Sequence, residues 1–166
     1  MPKQIKTKPV SKLEKTNRIL AIFAMLADFA FTATLLVLLY VLGEEDYESK
    51  LGIAVFGTYF LMLVLCAIHC IQGAVVFKRE ERYGVLFQSI VTGASAFALL
   101  LNVQLISAML FTSLGKDSWT QKVIGESTYS EFIEAQQSAW QLLILALAAV
   151  IVIGIAGIVR LAVKKR

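Results

Sequence analysis

The chain has 166 residues, of which 58% are hydrophobic and only 17% are charged, whereas ordinary soluble domains are about 45–50% apolar and about 25% charged. The formal net charge is +4, and the charges lie between four long apolar stretches that contain a single carboxylate, Asp28. A soluble domain of this length could not bury so much continuous apolar surface, which excludes a soluble enzyme and a free nucleic-acid-binding protein.

The four apolar stretches predict an all-α membrane protein built as an antiparallel bundle of four transmembrane helices. The predicted spans are residues 19–42, 51–77, 85–114 and 139–160. Each reaches the roughly 20 apolar residues that a helix needs to cross a bilayer core about 30 Å thick. A single membrane domain, residues 12–163, is therefore expected between a disordered basic tail at residues 1–11 and a basic end at residues 164–166.

Local signals place the helix ends. Ser11 and Glu14 have the spacing of a capping box, so the first helix is predicted to begin near Lys12. Gly43 can end this helix. Gly84 lies between the second and third apolar stretches, and the tight turn around it predicts that these two helices are antiparallel neighbours.

The basic residues predict the orientation in the membrane. Alternation of four spans places 13 of them on one side, against three on the other. The 13 are Lys3, Lys6, Lys8, Lys12, Lys15, Arg18, Lys78, Arg79, Arg82, Arg160, Lys164, Lys165 and Arg166. The positive-inside rule assigns this side, with both termini, to the cytoplasm. Beside a membrane span, the basic tail is expected to attract anionic lipid rather than nucleic acid.

Two ionisable side chains lie inside the predicted spans. Asp28 and His69 occur at similar distances from the predicted cytoplasmic ends of the first and second helices, which predicts a hydrogen-bonded pair. A central Asp costs about 2.5–3.5 kcal/mol on membrane-insertion scales, so such residues need a partner or a function. The pair either fixes the rotation of two helices or serves as a proton relay or an ion or substrate contact.

The third helix carries a polar stripe. Gln88, Thr92, Ser95 and Asn102 share one helical face, with Leu99 in the gap. Lipid offers no hydrogen-bond partners, so this face is expected to contact other helices or a wet cavity. Interhelical hydrogen bonding is the simpler of these two interpretations.

No metal or cofactor is expected. Cys66, His69 and Cys70 lie one helical turn apart, but the chain has only these two Cys and one His, which gives three ligands. Inside a membrane, cysteine usually behaves as a small apolar residue.

Residues 115–138 form the predicted outer loop, which contains more apolar side chains than a solvated linker needs. Trp119, Tyr129 and Phe132 are the predicted partner-binding residues of this loop.

The function predicted first is that of a non-enzymatic accessory or structural subunit of a membrane complex, in the plasma membrane and bound to another membrane protein or to a second copy of itself. The alternative is a small transporter or channel subunit whose path runs along Asp28, His69 and the polar stripe. A metal- or haem-dependent membrane enzyme is the third possibility.

Overall fold

The computed structural model describes the backbone of residues 11–40, 45–102 and 137–163, and the side chains of residues 11–37, 51–102 and 138–163. These residues form four helices. In chain order they are α1 (Lys12–Tyr40), α2 (Glu45–Glu80), α3 (Tyr83–Leu101) and α4 (Gln137–Ala162). The predicted continuation of α3 to residue 114 lies outside the described residues.

All four helices are long and apolar enough to cross a membrane. The apolar helical segments are Lys12–Val37, Leu51–Glu80, Tyr83–Leu101 and Ser138–Ala162. For the described residues, this result confirms the prediction of an all-helical chain with four helices able to cross a membrane, as in a multi-pass membrane protein.

The beginning of α1 follows the predicted capping pattern in part. The Ser11 hydroxyl accepts a hydrogen bond from the Glu14 backbone N–H at 3.0 Å, as a helix N-cap does. The Glu14 carboxylate instead pairs with Arg18 and Arg82. The first turn of α1 is thus stabilised by a serine cap, while its glutamate is used for tertiary contacts.

Only Glu81 and Arg82 connect α2 to α3. Glu81 has a φ of 54°, in the left-handed region, which costs a residue with a side chain about 1–2 kcal/mol. The Glu81 N–H donates to the Phe77 carbonyl at 2.8 Å and closes the end of α2. Gly84, predicted to lie in the turn, is in the first turn of α3 instead.

Each helix packs against two others: α1 and α3 both contact α2 and α4. Thr34 of α1 meets Thr58 of α2 with hydroxyl oxygens 3.2 Å apart. At the other end of the same interface, Ser11 donates a hydrogen bond to Glu80. Glycines allow close approaches between helices: the carbonyl oxygen of Arg18 would lie 3.0 Å from a Cβ added to Gly157 of α4.

The distribution of side chains is inverted relative to a soluble protein. Large apolar residues on every helix are more than half exposed, among them Phe23, Leu61, Phe97 and Leu145. The interior contains apolar residues together with buried polar and charged ones. Exposed apolar faces and a partly polar interior are expected of helices that are surrounded by lipid.

Candidate functional site

Eight polar or charged residues of the described chain are buried inside the bundle, and together they are called the polar core. They are Glu14, Asn17, Asp28, His69, Ser89, Thr92, Ser95 and Asn102. Spacings of three and four residues bring them to the inner face of each helix, because such spacings keep positions on one side of an α-helix. The polar core is therefore the candidate functional site.

One end of the polar core is an ion-pair network, the end cluster, formed by Ser11, Glu14, Arg18, Glu80 and Arg82. Glu14, only 1% exposed, pairs with Arg18 and lies 2.6 Å from Arg82. Arg82 also lies 3.3 Å from Glu80, which accepts the Ser11 hydrogen bond. The cluster joins α1, α2 and the α2–α3 connection.

The end cluster reaches the fourth helix as well. The Arg18 Nη1 donates to the carbonyl oxygen of Arg160 in α4 at 2.9 Å. A hydrogen bond from Arg18 and an ion pair with Arg82 thus compensate the buried Glu14 carboxylate, which is the condition under which such a group is tolerated inside a protein. The cluster is expected to hold this end of the bundle closed.

Asp28 is fully buried in the middle of α1. Neither carboxylate oxygen has a hydrogen-bond partner among the described residues. Asp28 lies near Cys66 of α2, which places it at the α1–α2 interface. Burying an ionised carboxylate without a partner is very costly, and such a group is far cheaper to bury in its neutral form.

His69 is also fully buried, and its ring is oriented by α3. Its Nδ1 lies 3.1 Å from the Thr92 hydroxyl oxygen. Thr92 donates its only hydroxyl proton to the Gln88 carbonyl at 2.8 Å, so it must accept from His69. Nδ1 therefore carries the ring proton, and Nε2 is an unprotonated acceptor without a partner among the described residues.

The hydrogen-bonded Asp28–His69 pair predicted from the sequence is not formed. The Phe31 and Tyr59 rings are level with each other, with centroids 5.6 Å apart. Counted from this contact toward the end cluster, Asp28 lies three residues from Phe31 along α1. His69 lies ten residues from Tyr59 along α2. At 1.5 Å per residue, the two groups differ in depth by about 10 Å.

The reason for this offset is the end cluster. It brings the first turn of α1 level with the last turn of α2 through the Ser11–Glu80 hydrogen bond. The sequence-based alignment instead placed Ile19, where the first apolar stretch begins, level with Phe77, where the second one ends. The first one and a half turns of α1, which are polar, thus belong to the α1–α2 interface. This shifts α1 along α2 relative to the predicted alignment.

The predicted polar stripe of α3 is buried in part. Thr92, Ser95 and Asn102 lie in the interior, whereas Gln88 is half-buried. Ser95 donates to the Val91 carbonyl and Asn102 to the Ala98 carbonyl, so both bond within α3 rather than across helices.

Several residues of the polar core were not predicted from the sequence. Gln88 was predicted to face the interior, but the neighbouring Ser89 is the buried residue, and it approaches Gly73 of α2 closely. Asn17 and Glu14 are buried although they precede the apolar stretch. The sequence did contain a signal for their burial. Glu14 and Asn17 continue, at spacings of three and four residues, the row of apolar residues that begins at Ala21 on the inner face of α1.

Trp119, Tyr129 and Phe132 of the predicted outer loop lie outside the described residues. Within the described part of the chain, no group of three or more His, Cys, Asp or Glu side chains could hold a metal ion. Cys66 is buried and Cys70 half-buried, both as free thiols.

Comparison with known proteins adds no relative. No protein-family model matches the chain, and neither a curated protein nor a solved structure matches it.

Proposed function

We propose that this chain is an antiparallel four-helix protein of the plasma membrane with both termini in the cytoplasm. We propose further that it acts as a non-enzymatic accessory or structural subunit of a membrane complex. Its partners would be anionic lipid at the cytoplasmic face and another membrane protein or a second copy of the chain.

The orientation is supported by the charges and by the contacts between α1 and α2. Thirteen basic residues against three favour a cytoplasmic location for the side that carries them. The contacts of Thr34 with Thr58 and of Ser11 with Glu80 pair residues in opposite chain directions, as antiparallel neighbours require.

The end cluster is the observation that carries the structural role. It joins α1, α2, the α2–α3 connection and α4 through one buried carboxylate, so this end of the bundle is braced rather than open. The exposed apolar faces of all four helices provide surface for lipid or for the helices of a partner.

The subunit role is tested by purifying the full chain from its native membrane in a mild detergent and identifying the proteins that remain with it. A stoichiometric membrane-protein partner that persists through a second purification step supports the proposal. A lone monomer that is stable and functional by itself contradicts it.

The orientation is tested with single cysteines at Thr7 and Ser118 in a background with Cys66→Ala and Cys70→Ala. In intact cells, a membrane-impermeant maleimide is expected to label only position 118, and both positions after the cells are opened. Labelling of position 7 in intact cells would contradict the proposed orientation.

Asp28 favours a second candidate function, a small transporter or channel subunit. An ionisable group buried in a membrane helix without a partner is a common mark of an ion or proton pathway. Ion flux into liposomes that contain only the purified chain would support this candidate, and a flux equal to that of protein-free liposomes would contradict it.

A further inference from the structure

Asp28 and His69 have complementary hydrogen-bonding needs that the described residues leave unmet. A buried carboxyl group without a partner is most cheaply held with its proton, which makes it a donor lacking an acceptor. The fixed tautomer of His69 leaves Nε2 as an acceptor lacking a donor. The backbone positions of the two residues differ in depth by about 10 Å, and no hydrogen bond joins their side chains.

We propose that Asp28 and the Nε2 atom of His69 are successive proton-binding positions on a proton path through the bundle. This inference rests on the second candidate function, that of a transporter or channel subunit, and assigns the proton as its cargo. A purely structural role would join both groups in one hydrogen bond between the helices. Two proton-binding groups at different depths instead extend a path along the membrane normal.

The transfer is a simple proton exchange. The O–H bond of Asp28 breaks, the proton crosses the intervening distance on hydrogen-bonded water, and an N–H bond forms at Nε2. The products are a carboxylate and an imidazolium ion, and no electron is transferred. Release of the Nε2 proton toward one side of the membrane restores the neutral imidazole, and uptake of a second proton by Asp28 from the other side restores its neutral carboxyl group.

The path has polar groups beyond His69. Asn17 of α1 and Gln72 of α2 each have a side-chain oxygen that is buried and lacks a hydrogen-bond partner in the described part of the chain. Gln72 lies one turn closer to the end cluster than His69, and Asn17 precedes Arg18 of that cluster. These acceptors can hold water or a hydrated proton between His69 and the cytoplasmic side.

The surroundings favour a proton over a metal cation. A hard metal ion takes six or more oxygen ligands, and the described residues contain no cluster of three potential ligands. The other buried titratable side chains of α1 and α2, among the described residues, are Glu14, Tyr59 and Cys66. The buried faces of the other neighbours carry none: Val85, Ser89, Thr92, Ser95 and Leu99 on α3, and Leu143, Ala146, Val150 and Ile153 on α4.

The experiment uses the full chain in liposomes with a pH-sensitive dye inside and a pH gradient across the membrane. Potassium and valinomycin dissipate the electrical potential. The wild-type chain is expected to collapse the gradient, and Asp28→Asn and His69→Gln are each expected to slow this at least 10-fold. Thr34→Val is the matched control, because it removes a hydroxyl of the same helix that bonds to its own backbone and to Thr58 and is neither of the two proposed proton-binding positions.

A second readout does not depend on the folding of variants. Dicyclohexylcarbodiimide enters membranes and modifies protonated carboxyl groups. It is expected to modify the wild-type chain at Asp28, located by mass spectrometry of peptides, and to block proton flux in proportion to that modification. Modification of Asp28 without loss of proton flux would overturn the proposal.

The remaining outcomes separate the inference from the function on which it rests. Sodium flux is measured in parallel at constant pH without the ionophore. Sodium flux without proton flux would overturn the proton path and leave the transporter candidate standing. The absence of any flux would remove both.

Discussion

The close approach of α2 and α3 at Gly73 gives a prediction with a defined sign. A Cβ atom added to Gly73 would overlap the Ser89 hydroxyl oxygen and lie 3.1 Å from the Ser89 Cβ. Ser89 is buried and its hydroxyl donates to the Val85 carbonyl, so it has little room to move. Overpacking of this kind costs about 1–3 kcal/mol.

Gly57 is the matched control on the same helix. A Cβ at Gly57 has no neighbour within 4 Å, so Gly57→Ala gains only the helix preference of alanine, about 0.5–1 kcal/mol. Gly73→Ala receives the same gain and additionally the overpacking cost. The difference in free energy of unfolding between the two variants therefore isolates that cost of about 1–3 kcal/mol.

The assay is thermal unfolding of the purified chain in detergent. Gly57→Ala is expected to raise Tm slightly and Gly73→Ala to lower it, with about 2–4 °C for each kcal/mol. Ser89→Gly removes the obstructing side chain, so Gly73→Ala in that background should lose most of its penalty. Equal stabilisation by Gly73→Ala and Gly57→Ala would refute the close approach of α2 and α3.

Three further predictions concern the turn, the end cluster and the buried carboxyl group. Glu81→Gly is expected to stabilise the fold by about 0.5–1 kcal/mol in detergent unfolding, because glycine removes the strain of the left-handed φ; Glu81→Gln should have no comparable effect. Glu14→Gln is expected to cost about 1–3 kcal/mol, because it leaves Arg18 and Arg82 without their buried carboxylate. An unchanged Tm would show that the end cluster contributes nothing. Asp28→Leu is expected to raise Tm, because it removes a buried polar group that has no hydrogen-bond partner among the described residues. Its effect should add to that of His69→Ala, and a loss of stability would mean that Asp28 has a stabilising partner.

The number of membrane helices was predictable from the sequence because it depends on composition alone. Four apolar stretches separated by charged segments specify four spans whatever the helices contact. The start of α1 was also predictable, because a serine cap acts within a single turn. Such features depend on nearby residues, which the sequence states directly.

The register of one helix along its neighbour was not predictable in this way. The apolar boundaries suggested that Asp28 and His69 lie at the same depth, but the buried Glu14 draws a polar turn of α1 into the interface and shifts the register. The positions of Ser89 and Gly73 likewise depend on how closely α2 and α3 approach.

The composition thus determined that the chain forms four membrane-compatible helices and that few polar groups lie within them. Only the tertiary structure decided which of these groups meet. Thr92 orients His69, and Asp28 has no hydrogen-bond partner in the part of the chain that the structure describes, because helix register depends on contacts between residues far apart in the chain. A shift of one helical turn moves a side chain by about 5.4 Å, more than a hydrogen bond can span.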